Sequence, residues 1–200
     1  MTHTQFARER WSALCTRLGC AAAIDRFDRL NAAYAEPVRA YHTAQHIDEC
    51  LVLLDTVASQ LQSPDDVELA IWLHDVVYDP QAKDNEARSA ALAVEWFKDL
   101  PQVRKDRLHQ RILATQHHLP TPDDSDCQAL LDIDLAILAS PTARFAEYAD
   151  QVRIEYGFVP EPIYRVKRGE FMHAMAQRHP LYFHPALAPR LEPLARRNLA

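Results

Sequence analysis

Ala70-Ile71-Trp72-Leu73-His74-Asp75-Val76-Val77-Tyr78 decides how this chain is read. A histidine and an aspartate stand side by side in an apolar run with helical character. Burying an unpaired carboxylate costs several kcal/mol or more. A fold that places one there usually supplies a cation, and a metal ion offsets the cost for both side chains together. The stretch opens at Ser63-Pro64-Asp65-Asp66. Serine at the cap, proline in the first turn and acids after it favour a helix start.

Around that helix the chain reads as all-α. Ile47, Leu51, Leu54, Ala58 and Leu61 follow helical spacing, and the pattern predicts helices over 5–18, 21–35, 43–60, 84–99, 102–118, 126–139, 142–156, 162–177 and 186–199. Only three glycines occur in 200 residues, few for a sheet protein with many tight turns. Prolines such as Pro64, Pro80, Pro101, Pro120, Pro122, Pro141 and Pro160 punctuate segment edges. With no repeat, low-complexity stretch or long linker, residues 1–200 are expected to form one helical domain with a sizeable core.

The net charge of −6 argues against a nucleic-acid binder, which would show a basic stripe. Cys15, Cys20, Cys50 and Cys127 have no CxxC spacing, so reduced thiols in a cytoplasmic protein are expected. Residues 1–11 carry no apolar signal-peptide core. No apolar run approaches the ~18 residues of a membrane span.

Other chemistry-bearing residues fall at spacings that suit the same centre. His42 and His46 lie one turn apart on one face. Asp134 has Leu130, Leu131, Ile137 and Leu138 as helical neighbours, all apolar. Asp132 has Gln128, Ala129, Leu135 and Ala136, a wetter set. Asp134 is therefore expected to be the more deeply buried of the two and to point at the metal, with Asp132 toward the periphery. Leu108, Ile112, Thr115 and Leu119 mark an inward face on the preceding helix, and His118 rather than His117 is expected to share its cavity. A single histidine on an apolar face is usually a hydrogen-bonded core residue; several buried His and Asp positions on three helices argue jointly for a metal.

The order His, then His-Asp, then a distant Asp resembles the HD-domain superfamily of metal-dependent phosphohydrolases, in particular its bacterial branch of predicted phosphohydrolases. Seven stretches in order carry the resemblance: Glu36 to Ile47, His74 to Pro80, Asp84 to Ala90, Thr115 to His118, Asp132 to Leu138, Arg153 to Tyr156 and Ala195 to Leu199. It covers nearly the whole chain. It implies an HD-type helical bundle with a divalent ion at its centre, held by His46, His74, Asp75 and Asp134. His42 is the alternative first ligand; His46, followed by an aliphatic residue, fits better. The glycine common after the His-Asp pair is absent, and a valine-tyrosine segment replaces it.

Two imidazoles and two carboxylates suit Mn, Fe, Co, Ni or Zn better than Mg. Such an ion would acidify water and screen charge on a phosphoryl group, so cleavage of a phosphoester or phosphoanhydride of a small, nucleotide-like substrate is expected. Asp75 and Glu86 are the expected catalytic residues, Glu86 as a general acid or base at the start of a small-residue stripe. Arg39, His42, His118 and Arg153 are the expected substrate-binding residues, with Lys167 a weaker candidate. A diiron oxygenase on the same scaffold, or a nucleotide sensor without turnover, are the competing readings. With no Gly-rich phosphate loop and no base-reading motif, neither the substrate nor an oligomeric state is legible.

Overall fold

The computed structural model describes residues 4–121 and 123–200. Pro122, expected at a segment edge, lies outside them, as do residues 1–3 of the stretch read as lacking a targeting core. The described chain is all-helical, without a strand: α1 Arg8–Arg17, α2 Phe27–Ala33, α3 Ala44–Asp55, α4 Pro64–Leu73, α5 Asn85–Trp96, α6 Gln102–Ala114, α7 Ser125–Asp134, α8 Thr142–Glu155, α9 Glu161–Gln177 and α10 Ala188–Leu199. Tighter 3₁₀ turns cover Ala21–Arg26, Ala58–Gln60 and Leu135–Ala139. None of the described helices is long and apolar enough to cross a membrane.

α4 is the axis of the bundle. Val67, Leu69, Ala70, Ile71, Trp72 and Leu73 are all buried, which leaves this helix no solvent face. α1, α3, α5, α6 and α7 pack around it. Each buried aliphatic side chain contributes about 1.5–3 kcal/mol relative to exposure, and the buried acids of the helix are paired, Asp66 with Arg104 and Glu68 with Arg10 and Arg17. Trp72 meets Trp11 edge to face at 5.5 Å and Phe6 at 5.0 Å, which anchors the N-terminal segment over the axis.

Several expected helices end early. The run expected over 43–60 breaks after Asp55 into the Ala58–Gln60 turn, and the one over 126–139 changes to 3₁₀ after Asp134. The segment expected as one helix over 21–35 is a 3₁₀ turn followed by α2. Ser63 does not cap α4 with its side chain. Instead Asp126 accepts from the N–H groups of Gln62 and Ser63, both at 2.9 Å, fastening the start of α4 to α7. The largest consequence is at the other end of α4. The helix stops at Leu73, so His74 is its C-cap and Asp75 stands in the turn beyond.

Candidate metal centre

α4 can stop beside the cluster because its final carbonyls all find donors. A helix end leaves four carbonyls without intrahelical partners. Here His74 Nδ1 donates to Ile71 O at 2.9 Å, Tyr34 Oη donates to Trp72 O at 2.9 Å, and the Val76 N–H reaches Leu73 O at 3.3 Å. Arg39 holds the turn itself, donating to Asp75 O at 2.7 Å and Val76 O at 3.1 Å. It also donates to His42 O at 3.0 Å and to Glu36 at 3.1 Å.

That result corrects the expectation for Arg39. Its side chain is fully buried, its donors are spent on three backbone carbonyls and one carboxylate, and it does not line the cavity. Sequence spacing placed it near the histidines correctly, but the strongest local demand for a fork of N–H donors came from the backbone.

His46 enters from the first turn of α3, whose start is capped by Thr43 accepting from the Gln45 N–H at 3.3 Å. Ile47, Cys50, Leu51 and Leu54 are buried behind it. Asp134 comes from the last residue of α7. His46 Nε2 and His74 Nε2 stand 3.2 Å apart, and Asp134 Oδ1 lies 3.1 Å from the first and 3.4 Å from the second. Asp75 Oδ2 is 3.1 Å from His74 Nε2 and 3.7 Å from His46 Nε2. His46, His74 and Asp75 form a group that could hold a metal ion.

The donor chemistry fits such an ion. The backbone carbonyl of Ile71 can only accept, so His74 keeps a proton on Nδ1, and Nε2 is the nitrogen that would give its lone pair to an ion. Tyr41 Oη sits 3.1 Å from His46 Nδ1 and can fix that ring in the same way. Donors about 2.1 Å from a shared ion stand about 3.0–3.4 Å from each other, the range of most distances here. α4 and α7 both end at the cluster, and the negative ends of helix dipoles favour a cation.

Burial alone would push His74 down and the two carboxylates up. The mutual attraction of His74 with Asp75 and Asp134 wins, holding the imidazole well above its ordinary value and both carboxyls below theirs. His118 Nε2 reaches the other oxygen of Asp134 at 2.9 Å. Its φ of 50° lies in the left-handed region, which costs a non-glycine residue roughly 1–2 kcal/mol. His118 and Thr115 line the same cavity, and His117 does not.

Asp132 and Asp134 of α7 divide as expected in direction but not in depth. Asp132 is the more buried, at 1 % exposure, and accepts from the N–H groups of Phe183 (2.9 Å) and His184 (2.7 Å). Burial pushes its carboxyl up to about 7, against the pull of those two donors. Its cover comes not from its own helix but from a segment 51 residues later, which helical spacing does not reach. Asp134 is more open because it faces the cavity.

That cavity, about 360 Å³, is lined by Asp75, Asp134, His42, His118 and Glu86 on one part and by Tyr41, Tyr148, Tyr156, Tyr164 and Phe171 on the rest. Glu86 makes no hydrogen bond or ion pair among the described residues. Lys167 and Arg168 of α9 supply the cavity's Lys and Arg side chains. Arg153, expected there, is turned away: it donates to Tyr156 O at 2.7 Å and Val159 O at 3.1 Å and pairs with Glu161 at 2.9 Å, tying α8 to α9.

The sequence reading missed Glu155, whose side chain is fully buried. One oxygen accepts from the N–H groups of Ala40, Tyr41 and His42 at 2.8–2.9 Å. The other faces His42 Nδ1 and Tyr78 Oη, each at 2.7 Å. Burial would raise its carboxyl, yet His42 and the backbone donors bring it down to about 2. The signal was present: Tyr148, Val152 and Glu155 form one buried stripe on α8, the same pattern of a carboxylate on an apolar face that marked Asp134. Tyr78 stacks on His42 at 4.3 Å, so the valine-tyrosine segment backs the ring of His42.

No family model, curated protein or solved structure matches the chain. The family resemblance rests on the seven stretches of sequence.

Proposed function

We propose that the chain is a metal-dependent hydrolase of small phosphoesters or phosphoanhydrides, nucleotides among them. The observation that carries this reading is the meeting of His46, His74, Asp75 and Asp134 at the inner end of a cavity large enough for a small ligand. These four residues would hold one divalent transition ion. When bound, it supplies Lewis-acid polarisation of a phosphoryl oxygen and acidification of water.

The chain's own residues do the rest. Two carboxylates and two neutral imidazoles offset a divalent charge, so the centre itself repels no anion. Glu155 holds the ring of His42 by Nδ1, leaving Nε2 as its free nitrogen beside the cavity, suited to delivering a proton to a leaving oxygen. His118 fixes the orientation of Asp134. Glu86 offers a carboxylate without a protein partner, suited to receiving a proton from attacking water.

Native mass spectrometry and a panel of phosphoesters, with phosphate and pyrophosphate both assayed, test the reading. One ion per chain is expected, with turnover that Asp75→Asn abolishes along with the metal. Two irons and oxygen consumption would put the oxygenase in its place, and nucleotide binding without turnover the sensor.

A further inference from the structure

α9 carries a cation with no acidic partner among the described residues. Arg168 makes no hydrogen bond and no ion pair among the described residues, and its Nη2 is buried without an acceptor. Most other arginines near the cavity are spent: Arg39 on carbonyls, Arg144 on Glu49 and Arg153 on carbonyls and Glu161. Lys167 pairs with Glu170 at 2.9 Å.

The placement of Arg168 is also fixed. Its Cζ lies 4.8 Å from the ring centre of Tyr148 and 5.0 Å from that of Phe171. Both distances are within cation–π reach, and no donor of the guanidinium is taken by a hydrogen bond among the described residues. A planar fork of donors is matched by phosphate or carboxylate. The same cavity holds Asp75 and Asp134, which a divalent ion neutralises and no more, so a phosphoryl dianion entering it has to find its balancing charge elsewhere. Arg168 is the unpaired candidate. Tyr156 and Tyr164 add flat apolar surface, and a volume of about 360 Å³ is at the small end of ligand sites.

We propose that Arg168 anchors the substrate's anionic group, and that the substrate is a small phosphomonoester whose body carries a flat ring. The chemistry of that anion rests on the hydrolase reading; the anchor itself does not.

Phenylphosphonate tests this, because it presents a phosphonate dianion and a ring through a bond that hydrolysis at phosphorus–oxygen does not break. Titrated calorimetrically into Mn²⁺-loaded protein, it is expected to bind, and Arg168→Gln to weaken it about ten- to hundred-fold. Arg165→Gln, an equal charge change on an exposed part of the same helix, should leave affinity unchanged. Methylphosphonate, without the ring, should bind more weakly than phenylphosphonate.

Equal affinity of wild type and Arg168→Gln, no binding of phenylphosphonate, or equal binding of the two phosphonates would each overturn the proposal. Arg168→Lys keeps the charge and loses the planar fork, so it should give an intermediate loss. If Arg168→Gln does not fold, that loss carries the test and its absence overturns the proposal. Arg168-dependent binding in a protein that turns over no phosphoester would retain the anchor and remove the hydrolase; turnover indifferent to Arg168→Gln would do the reverse.

Discussion

At the residue scale, the side chains that matter most are those that spend their polar groups on backbone. Arg39→Ala would strip donors from the carbonyls of His42, Asp75 and Val76 in a buried turn. A loss of about 3–5 kcal/mol is expected in urea denaturation. Metal affinity should fall with it, because the turn that presents Asp75 loses its clamp. Retained stability with lost phosphate binding would restore Arg39 to the cavity. Glu155 and His42 give a second prediction, in pH. The Glu155 carboxyl, about 2 against an ordinary 4.5, stabilises the fold above pH 4.5, and this is lost as pH falls from 4.5 toward 2. His42 is raised above 6.5 because Glu155 and the nearby carboxylates outweigh its burial, so its contribution is complete below 6.5 and lost as pH rises through its folded value. Glu155→Gln removes the first contribution and the Glu155 part of the second. The difference in Tm from wild type should therefore be largest between pH 4.5 and 6.5, corresponding to roughly 3 kcal/mol, and shrink on either side.

At the element scale, helix ends decide more than helix interiors. α1 terminates in a Schellman motif: the Gly19 N–H reaches Thr16 O at 3.0 Å and the Cys20 N–H reaches Cys15 O at 2.8 Å. Gly19 has φ 71°, so Gly19→Ala should destabilise by about 1–2 kcal/mol despite open space around its Cβ. Gly169, inside α9 and equally unobstructed, should behave in the opposite way, with Gly169→Ala stabilising by about 0.5–1 kcal/mol. Thermal melts of the two variants check both signs. Helix ends also explain what the sequence disclosed and what it withheld. Periodicity locates α3, α4, α7 and α8 and the apolar faces that carry His46 and Asp134, because each of those signals is local. It does not reveal that α4 stops at Leu73, since the donors that permit the stop come from Tyr34 and Arg39, more than thirty residues earlier. Asp132 and Arg153 were misjudged for the same reason. Their partners lie on other segments or past a turn, and helical spacing says nothing about those.

At the scale of the whole molecule, the proposed metal centre predicts a stability that depends on the ion. A ligand that binds only the folded state adds about 2.7 kcal/mol when present at a hundred times its dissociation constant. For a domain of this size that raises Tm by about 5–10 °C. Mn²⁺ or Zn²⁺ at that excess should give such a shift in differential scanning calorimetry, a chelator should reverse it, and Asp75→Asn should abolish it. An unchanged Tm at saturating metal would show that the cluster holds protons rather than an ion.

The parts of the centre also arrive at different times during synthesis. His46, His74, Asp75 and Asp134 all lie within the first 134 residues, and α7 is the last element to contribute a donor. Glu155, which fastens residues 40–42, follows, and so do the rings of Tyr148, Tyr156, Tyr164 and Phe171 and the amides at 183 and 184 that satisfy Asp132. A growing chain therefore carries the complete donor set while the walls around it are still unmade. An ion of the kind proposed above, if met at that stage, would find its ligands before its enclosure, and the last third of the chain would close the walls around it.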